Sequence, residues 1–127
     1  MSYLLDTQAL IFFFENDPNL SSKAKTLIEN PQNGIFVSIA SLWEIAIKIS
    51  IGKLHPTQPL KKFFDRIPEE NMDLMDIGES HILTVSTLPL HHRDPFDLII
   101  IAQALSENLE IISNNGAFDA YPVNRIW

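Results

Sequence analysis

Short β-rich segments in this sequence alternate with helical segments that are too long to serve as hairpin turns. The predicted strands cover residues 3–5, 35–38, 73–77, 110–113 and 123–126. The predicted helices cover 7–14, 59–67, 79–88 and 94–108, with one from a cap at Ser21 or Ser22 to residue 29 and one from a cap at Ser38 or Ser41 to about residue 51. Because crossover helices join parallel strands, the pattern predicts an α/β fold, a three-layer α/β/α sandwich with a mainly parallel central sheet.

The chain length and the absence of cysteine limit the class of protein. A chain of 127 residues fits one domain spanning residues 1–127. Without cysteine there is no thiolate zinc site, cysteine nucleophile or redox pair. The apolar runs are far shorter than the roughly 20 residues of a membrane-spanning helix, and the first residues lack the pattern of a signal peptide. We therefore expect a cytoplasmic protein with no membrane partner.

The charge balance bears on nucleic-acid binding. Nine Lys and Arg against 16 Asp and Glu give a formal charge of −7, which argues against a general nucleic-acid binder. A bound cation can supply the missing positive charge, and local distribution matters more than the sum. Five of the cationic residues fall in one short stretch, which allows a basic edge: Lys48, Lys53, Lys61, Lys62 and Arg66.

Acidic residues follow the predicted strands or begin the helices after them. They are Asp6, Glu44, Asp94 and Asp97, and Asn115 follows the fourth strand. Parallel sheets bind ligands beyond the carboxyl ends of their strands, so these side chains are expected at one edge. Carboxylates have a reason to converge when they share a hard cation such as Mg²⁺ or Mn²⁺. The pattern thus indicates a metal site.

Each acid also has a purely structural interpretation. Asp6 and Asp94 are suited to cap the helices that follow them. Glu44 precedes Lys48 by four residues, the favourable order for an ion pair on a helix surface. Asp97 suits the positive end of the helix dipole, but it continues an apolar stripe, where a charge needs a partner.

Other chemistries lack support. The four glycines form neither a phosphate loop nor a dinucleotide fingerprint, and there is no Gly-x-Ser-x-Gly elbow. His91 and His92 are adjacent, which is unsuited to sharing one metal, so we expect them to shape the loop before Asp94 or to meet solvent. The aromatic residues, including Trp43, are interpreted as core or subunit interface.

Four segments of the chain resemble the PIN-domain toxins of the VapC type. They are residues 3–10 (YLLDTQAL), 41–54 (with SLWEIAIK and GKL), 88–104 (LPLHHRDPFD and IAQA) and the terminal FDAY and IW. The resemblance covers essentially the whole chain in the right order. It implies a three-layer α/β/α domain, RNA cleavage dependent on Mg²⁺ or Mn²⁺, a homodimer, and inhibition by a cognate antitoxin protein.

The resemblance also assigns the acidic site. It falls on Asp6, Glu44 and Asp97, with Asp94 as the accompanying acid, and Asp6 and Asp97 are the primary metal ligands. Asn115 stands where many members have an acid, which places a second metal in doubt.

Two other departures concern substrate positioning. Leu98 replaces a usual Arg, and Gln8 stands where His or Asn is frequent.

The hypothesis from the sequence is hydrolysis of an RNA phosphodiester by an activated water, leaving a 5′-phosphate and a 3′-hydroxyl. Glu44 would accept a proton or steer the water. The RNA backbone would follow the side of the molecule that bears Lys48, Lys53, Lys61 and Lys62.

Two alternatives remain open at this stage. A receiver-like phosphoacceptor has a similar length and acid cluster, but it requires a Lys after its last strand. A PIN-like module that binds RNA or a partner protein without cleavage is the other. The helices at 41–51 and 60–67 are largely apolar, so their surfaces must be buried either in the core or against another chain. For the second possibility we expect a homodimer and a groove near these helices for an antitoxin segment.

Overall fold

A five-stranded parallel sheet forms the centre of the protein in the computed structural model, which describes residues 1–127. The strands occur in the order β3-β2-β1-β4-β5, and every neighbouring pair is parallel. Their bounds are β1 Ser2–Leu5, β2 Gly34–Ser38, β3 Met72–Met75, β4 Glu110–Ile112 and β5 Arg125–Ile126. The predicted parallel α/β architecture is confirmed.

Six α-helices and one short 3₁₀ helix connect the strands. Their bounds are α1 Thr7–Phe14, α2 Ser22–Glu29, α3 Ile39–Ser50, α4 Leu60–Glu69, α5 Glu79–Thr87, α6 Pro95–Glu107 and the 3₁₀ helix Gly116–Ala120. The third, fourth and fifth strands are shorter than predicted, α4 runs two residues further, and the sequence does not predict the 3₁₀ helix. None of the helices combines the length and the apolar character needed to cross a bilayer.

Side-chain caps fix where α2 and α3 begin. Ser21 Oγ accepts a hydrogen bond from Ala24 N (3.0 Å), and Ser38 Oγ accepts one from Ala40 N (3.1 Å). Ser41, the alternative cap of α3, instead accepts a hydrogen bond from the Thr7 hydroxyl. After α3, Gly52 adopts φ +74°, the left-handed conformation expected beyond a helix end.

Hydrophobic clusters cover both faces of the sheet. Tyr3 and Leu5 belong to the larger cluster, which also contains side chains of α1–α4, whereas Leu4 belongs to the smaller cluster with side chains of α6. Because successive side chains of a strand point to opposite faces, β1 is buried on both sides. The residue that follows β1, Asp6, is therefore held by the most enclosed strand of the sheet.

The exposure of side chains on helix α3 differs in part from the prediction made from the sequence. Leu42 and Ile45 are buried, but the Trp43 side chain is 60% exposed and Ile51 is 57% exposed. An interpretation of Trp43 as core of this chain is therefore wrong. A helix of this length can bury only one face against its own sheet, so apolar residues around the rest of its circumference remain at the surface.

Candidate active site

A polar cleft of about 380 Å³ lies at the carboxyl edge of the sheet. Four of the nine residues that line it are the predicted acids Asp6, Glu44, Asp94 and Asp97, and none of the nine is hydrophobic. The other five are Thr7, Gln8, Lys48, Asn114 and Asn115. The structure thus brings every predicted site residue to one cleft, with one ammonium group facing four carboxyl groups.

Asp6 is the most firmly held of these acids. Its backbone N donates to Ile112 O (3.1 Å), which ties it to the end of β4. Oδ1 accepts a hydrogen bond from Ala9 N (2.7 Å), and Oδ2 accepts one from the Ser113 hydroxyl (2.6 Å). The contact with Ala9 N is the helix cap expected from the sequence. The contact with Ser113 is additional, since capping of α1 does not require it.

Burial governs the acidity of Asp6. The residue is 5% exposed, and this burial raises the pKa of its carboxyl group from 3.8 to about 6. The two hydrogen bonds oppose the rise, while the negative charges of Asp97 and Glu44 add to it. The charges of Asp97 and Glu44 therefore disfavour ionisation of Asp6, in the same direction as burial.

Glu44 projects into the cleft from α3. It is 8% exposed, and its Oε2 pairs with Lys48 Nζ at 3.0 Å, the helix ion pair expected from the sequence. Its other oxygen, Oε1, is buried without a hydrogen-bond partner. Because an unpartnered buried carboxylate oxygen is costly, this atom is suited to a ligand that brings a positive charge or a proton donor.

Asp94 and Asp97 lie at the start of α6. Asp94 Oδ1 accepts hydrogen bonds from Phe96 N (2.9 Å) and Asp97 N (3.2 Å), so Asp94 is the helix cap. Asp97 Oδ2 lies 2.7 Å from His92 Nε2. Burial raises the pKa of Asp97, the hydrogen bond with His92 offsets part of that rise, and the charge of Asp94 adds to it.

Asn115 reaches the cleft from the loop after β4. Its Oδ1 accepts a hydrogen bond from Ala117 N (3.0 Å) and caps the 3₁₀ helix. The amide therefore has a structural role as well as a place in the cleft lining.

The oxygen-rich lining fits a hard divalent cation. With the side chains as they stand, no three His, Asp or Glu residues meet closely enough to hold a metal ion. Asp6, Glu44 and Asp97 are each turned towards a protein partner, but a carboxylate oxygen can accept more than one contact. The unpartnered Glu44 Oε1 and the mutual repulsion of the acids favour a cation with oxygen ligands, such as Mg²⁺ or Mn²⁺.

The profile of the PIN domain family matches residues 3–124. This chain belongs to the PIN domain family. The receiver class, which the length and the acid cluster also allowed, is therefore excluded.

Proteins similar to this PIN domain include a VapC ribonuclease and solved VapBC structures. Ribonuclease VapC16 of Mycobacterium tuberculosis is 30% identical over 61 residues, a stretch that spans 47% of this chain and 43% of that relative. The crystal structure of VapBC2 from Rickettsia felis, bound to a promoter DNA fragment, matches with a TM-score of 0.73 and 19% identity, covering 99% of this chain and 98% of that chain. VapBC-1 from Haemophilus influenzae matches with a TM-score of 0.68 and 22% identity, covering 99% and 97%. At these identities the structures establish the shared fold.

Two residues that contact the acids were missed in the sequence. The sequence predicts Ser113 within the fourth strand, but in the structure Ser113 follows β4 and its hydroxyl donates to Asp6 Oδ2. A polar residue at the end of an apolar strand is a signal that could have found it. The sequence predicts that His92 shapes the loop or meets solvent, whereas in the structure its ring contacts the Asp97 carboxyl group at the start of α6. Only the loop conformation reveals that contact.

Proposed function

We propose that this PIN domain is a cytoplasmic endoribonuclease dependent on Mg²⁺ or Mn²⁺, and the toxin of a type II toxin–antitoxin pair. The observation that carries the proposal is the convergence of four carboxyl groups and one lysine in a cleft without hydrophobic lining. Such a cleft suits a cation and a phosphate group better than an apolar ligand.

Asp6 and Asp97 would hold the cation, with Glu44 completing the set and Asp94 supporting it. Asp6 follows β1, Glu44 lies within α3, and Asp94 and Asp97 lie at the start of α6, so the packing of these helices on the sheet fixes the spacing of the acids. When bound, the metal would lower the pKa of a water molecule and offset the charge that develops on the phosphoryl oxygens.

The remaining groups of the cleft have complementary tasks. Glu44 Oε1, buried and unpartnered, can accept a proton from the attacking water or orient it. Lys48 Nζ, 3.0 Å from Glu44 Oε2, can attract the substrate phosphate. Water adds to phosphorus, the bond between phosphorus and O3′ breaks, and O3′ gains a proton, which yields a 5′-phosphate and a 3′-hydroxyl.

Exposed cations outside the cleft add positive charge to the surface of the molecule. Lys53, Lys61 and Lys62 lie on the surface, and Lys61 is paired with Asp65 at 2.5 Å. Of these cations and Lys48, only Lys48 lines the cleft, so on a molecule of net charge −7 it is the group proposed to contact the RNA phosphate.

The toxin role is supported by the relatives. One curated relative is named a ribonuclease of the VapC type, and the solved structures with this fold include VapBC complexes. By analogy, we propose that a cognate antitoxin protein binds this chain.

Two surfaces are suited to protein partners. An apolar groove of about 310 Å³ lies between α3, α5 and α6 and includes Trp43, Ile82 and Phe96. A second groove of about 490 Å³ lies beside α1, α2 and α4 and includes Phe13 and Arg66. We assign the first to a homodimer contact and the second to an antitoxin segment.

Cleavage of RNA by the purified protein with Mn²⁺ tests the catalytic proposal. The variants Asp6→Asn, Glu44→Gln and Asp97→Asn are expected to lose at least about 10²-fold in rate, the lower end of general acid–base contributions. Asp73→Asn is the matched control, because Asp73 is exposed on β3 outside the cleft. Equal cleavage by all four variants would refute the assignment of the cleft.

Expression in a bacterium tests the toxin role. The wild-type chain is expected to arrest growth, and Asp6→Asn is expected to relieve the arrest. If the protein neither binds Mn²⁺ nor cleaves RNA, the alternative of a non-cleaving PIN-like binding module is correct.

A further inference from the structure

We propose that His92 is a positioning residue for Asp97, and that Tyr121 holds His92 in place. The proposal rests on the proposed function, since it assigns Asp97 to a metal ion. Neither the histidine nor the tyrosine lines the cleft, so both act through another residue.

The contact between His92 and Asp97 fixes one oxygen of the carboxyl group. His92 Nε2 lies 2.7 Å from Asp97 Oδ2, and the two side chains are 26% and 16% exposed. An ionised carboxylate can only accept, so the ring nitrogen donates. With Oδ2 held by His92, the rotation of the carboxyl group is restricted, and Oδ1, which makes no hydrogen bond within the chain, is the oxygen left for a ligand.

Tyr121 fastens the loop that carries His92. The loop between α5 and α6 has no regular secondary structure. The Tyr121 hydroxyl accepts a hydrogen bond from His92 N (3.0 Å) and donates one to Pro89 O (2.7 Å). Tyr121 itself is 4% exposed and belongs to the core cluster that contains Leu4. A buried side chain from a distant part of the sequence thus sets the backbone position of the histidine.

These contacts form a connected series from the core to the cleft. Tyr121 positions the His92 backbone, the His92 ring orients Asp97, and Asp97 faces Asp6 and Glu44. Groups that hydrogen-bond a metal ligand typically change metal affinity by about 10- to 100-fold when they are removed. A purely structural role for the loop would alter stability and leave the affinity for metal unchanged.

Titration of the full chain with Mn²⁺ by calorimetry tests the proposal. His92→Ala is expected to weaken Mn²⁺ binding by about 10- to 100-fold. His92→Gln is expected to recover most of that loss, because the glutamine amide can also donate to a carboxylate. His55→Ala is the matched control, since His55 is exposed and lies outside the cleft lining.

Tyr121→Phe tests the second part of the series. The ring that packs in the core is kept, but both hydrogen bonds to the loop are lost. We expect weaker Mn²⁺ binding than in the wild type, with little further loss when His92→Ala is added, since the two changes interrupt one series.

The outcomes separate this proposal from the proposed function. Wild-type protein that binds no Mn²⁺ overturns both. Wild-type protein that binds Mn²⁺, with unchanged affinity in His92→Ala, overturns the positioning role alone. If His92→Ala does not fold, as judged by circular dichroism, the affinities of His92→Gln and Tyr121→Phe decide, and wild-type affinity in Tyr121→Phe overturns the role of the tyrosine.

Discussion

Replacement of Asp6 by asparagine is expected to stabilise the metal-free protein at neutral pH. The Asp6 carboxyl group is 5% exposed, and its pKa is raised from 3.8 to about 6. A raised pKa means that the folded state binds the proton more tightly than the unfolded state does. The ionised carboxylate therefore opposes folding, and this cost grows as the pH rises from about 4 to 6.

The size of the effect follows from the shift. About two pKa units at 1.36 kcal/mol each amount to about 3 kcal/mol of lost stability above pH 6. Asparagine removes the charge and keeps an oxygen that can accept from Ala9 N. It loses the strength that the negative charge gives to the hydrogen bonds from Ala9 and Ser113. We expect a net gain of roughly 1–2 kcal/mol in the free energy of unfolding.

Urea denaturation with EDTA present measures this gain. It is expected at about pH 7 and should largely vanish near pH 3, where the carboxyl group is mostly protonated in both the folded and the unfolded state. Asp73→Asn, which changes an exposed acid on β3, should alter stability by less than about 0.5 kcal/mol. With Mn²⁺ at about 100 times its Kd, wild-type protein should gain about 2.7 kcal/mol, and the Asp6→Asn variant should gain less.

A loss of stability in Asp6→Asn at neutral pH without metal would refute the reasoning. The carboxylate would then be a net stabilising cap of α1, and burial would not be the dominant effect on Asp6.

Four further changes probe the core, the helix ends and the surface. Phe63→Ala should cost about 3–5 kcal/mol in urea denaturation, because the ring is 2% exposed and packs edge-on against Phe14 at 5.4 Å; a cost below about 1 kcal/mol would contradict this. Ser38→Ala should cost about 1 kcal/mol through the lost α3 cap, measured in the same way. Gly52→Ala should also cost about 1 kcal/mol, because φ is +74° there, and an unchanged midpoint would contradict it. Trp43→Ser should convert the proposed homodimer to a folded monomer in sedimentation velocity, since Trp43 is 60% exposed; a stable dimer would place the interface elsewhere.

The sequence is sufficient to predict structural features that depend only on residues close together along the chain. The N-terminal caps, the left-handed Gly52 and the bounds of α1 follow from local chemistry, and they agree with the structure. The gathering of Asp6, Glu44 and Asp97 was also predictable, because parallel strands place their carboxyl ends at one edge.

Features that depend on contacts between distant segments were not predictable in this way. The Ser113 hydroxyl reaches Asp6 across 107 positions, and Tyr121 reaches the loop before α6 across about 30. Trp43 was ambiguous because an apolar residue on a helix does not reveal whether its own chain or another covers it. The two-residue β5 has too little pattern to define its ends.

The central position of β1 has a consequence for the time course of synthesis. β1 is made before the other strands, but one of its two neighbours in the sheet is β4, the fourth strand in sequence order. A growing polypeptide therefore lacks the partner that completes the cleft until Ser113 has emerged, however early its other elements form. The proposed nuclease activity therefore requires synthesis to have passed β4, and a nascent chain that ends earlier is expected to lack it.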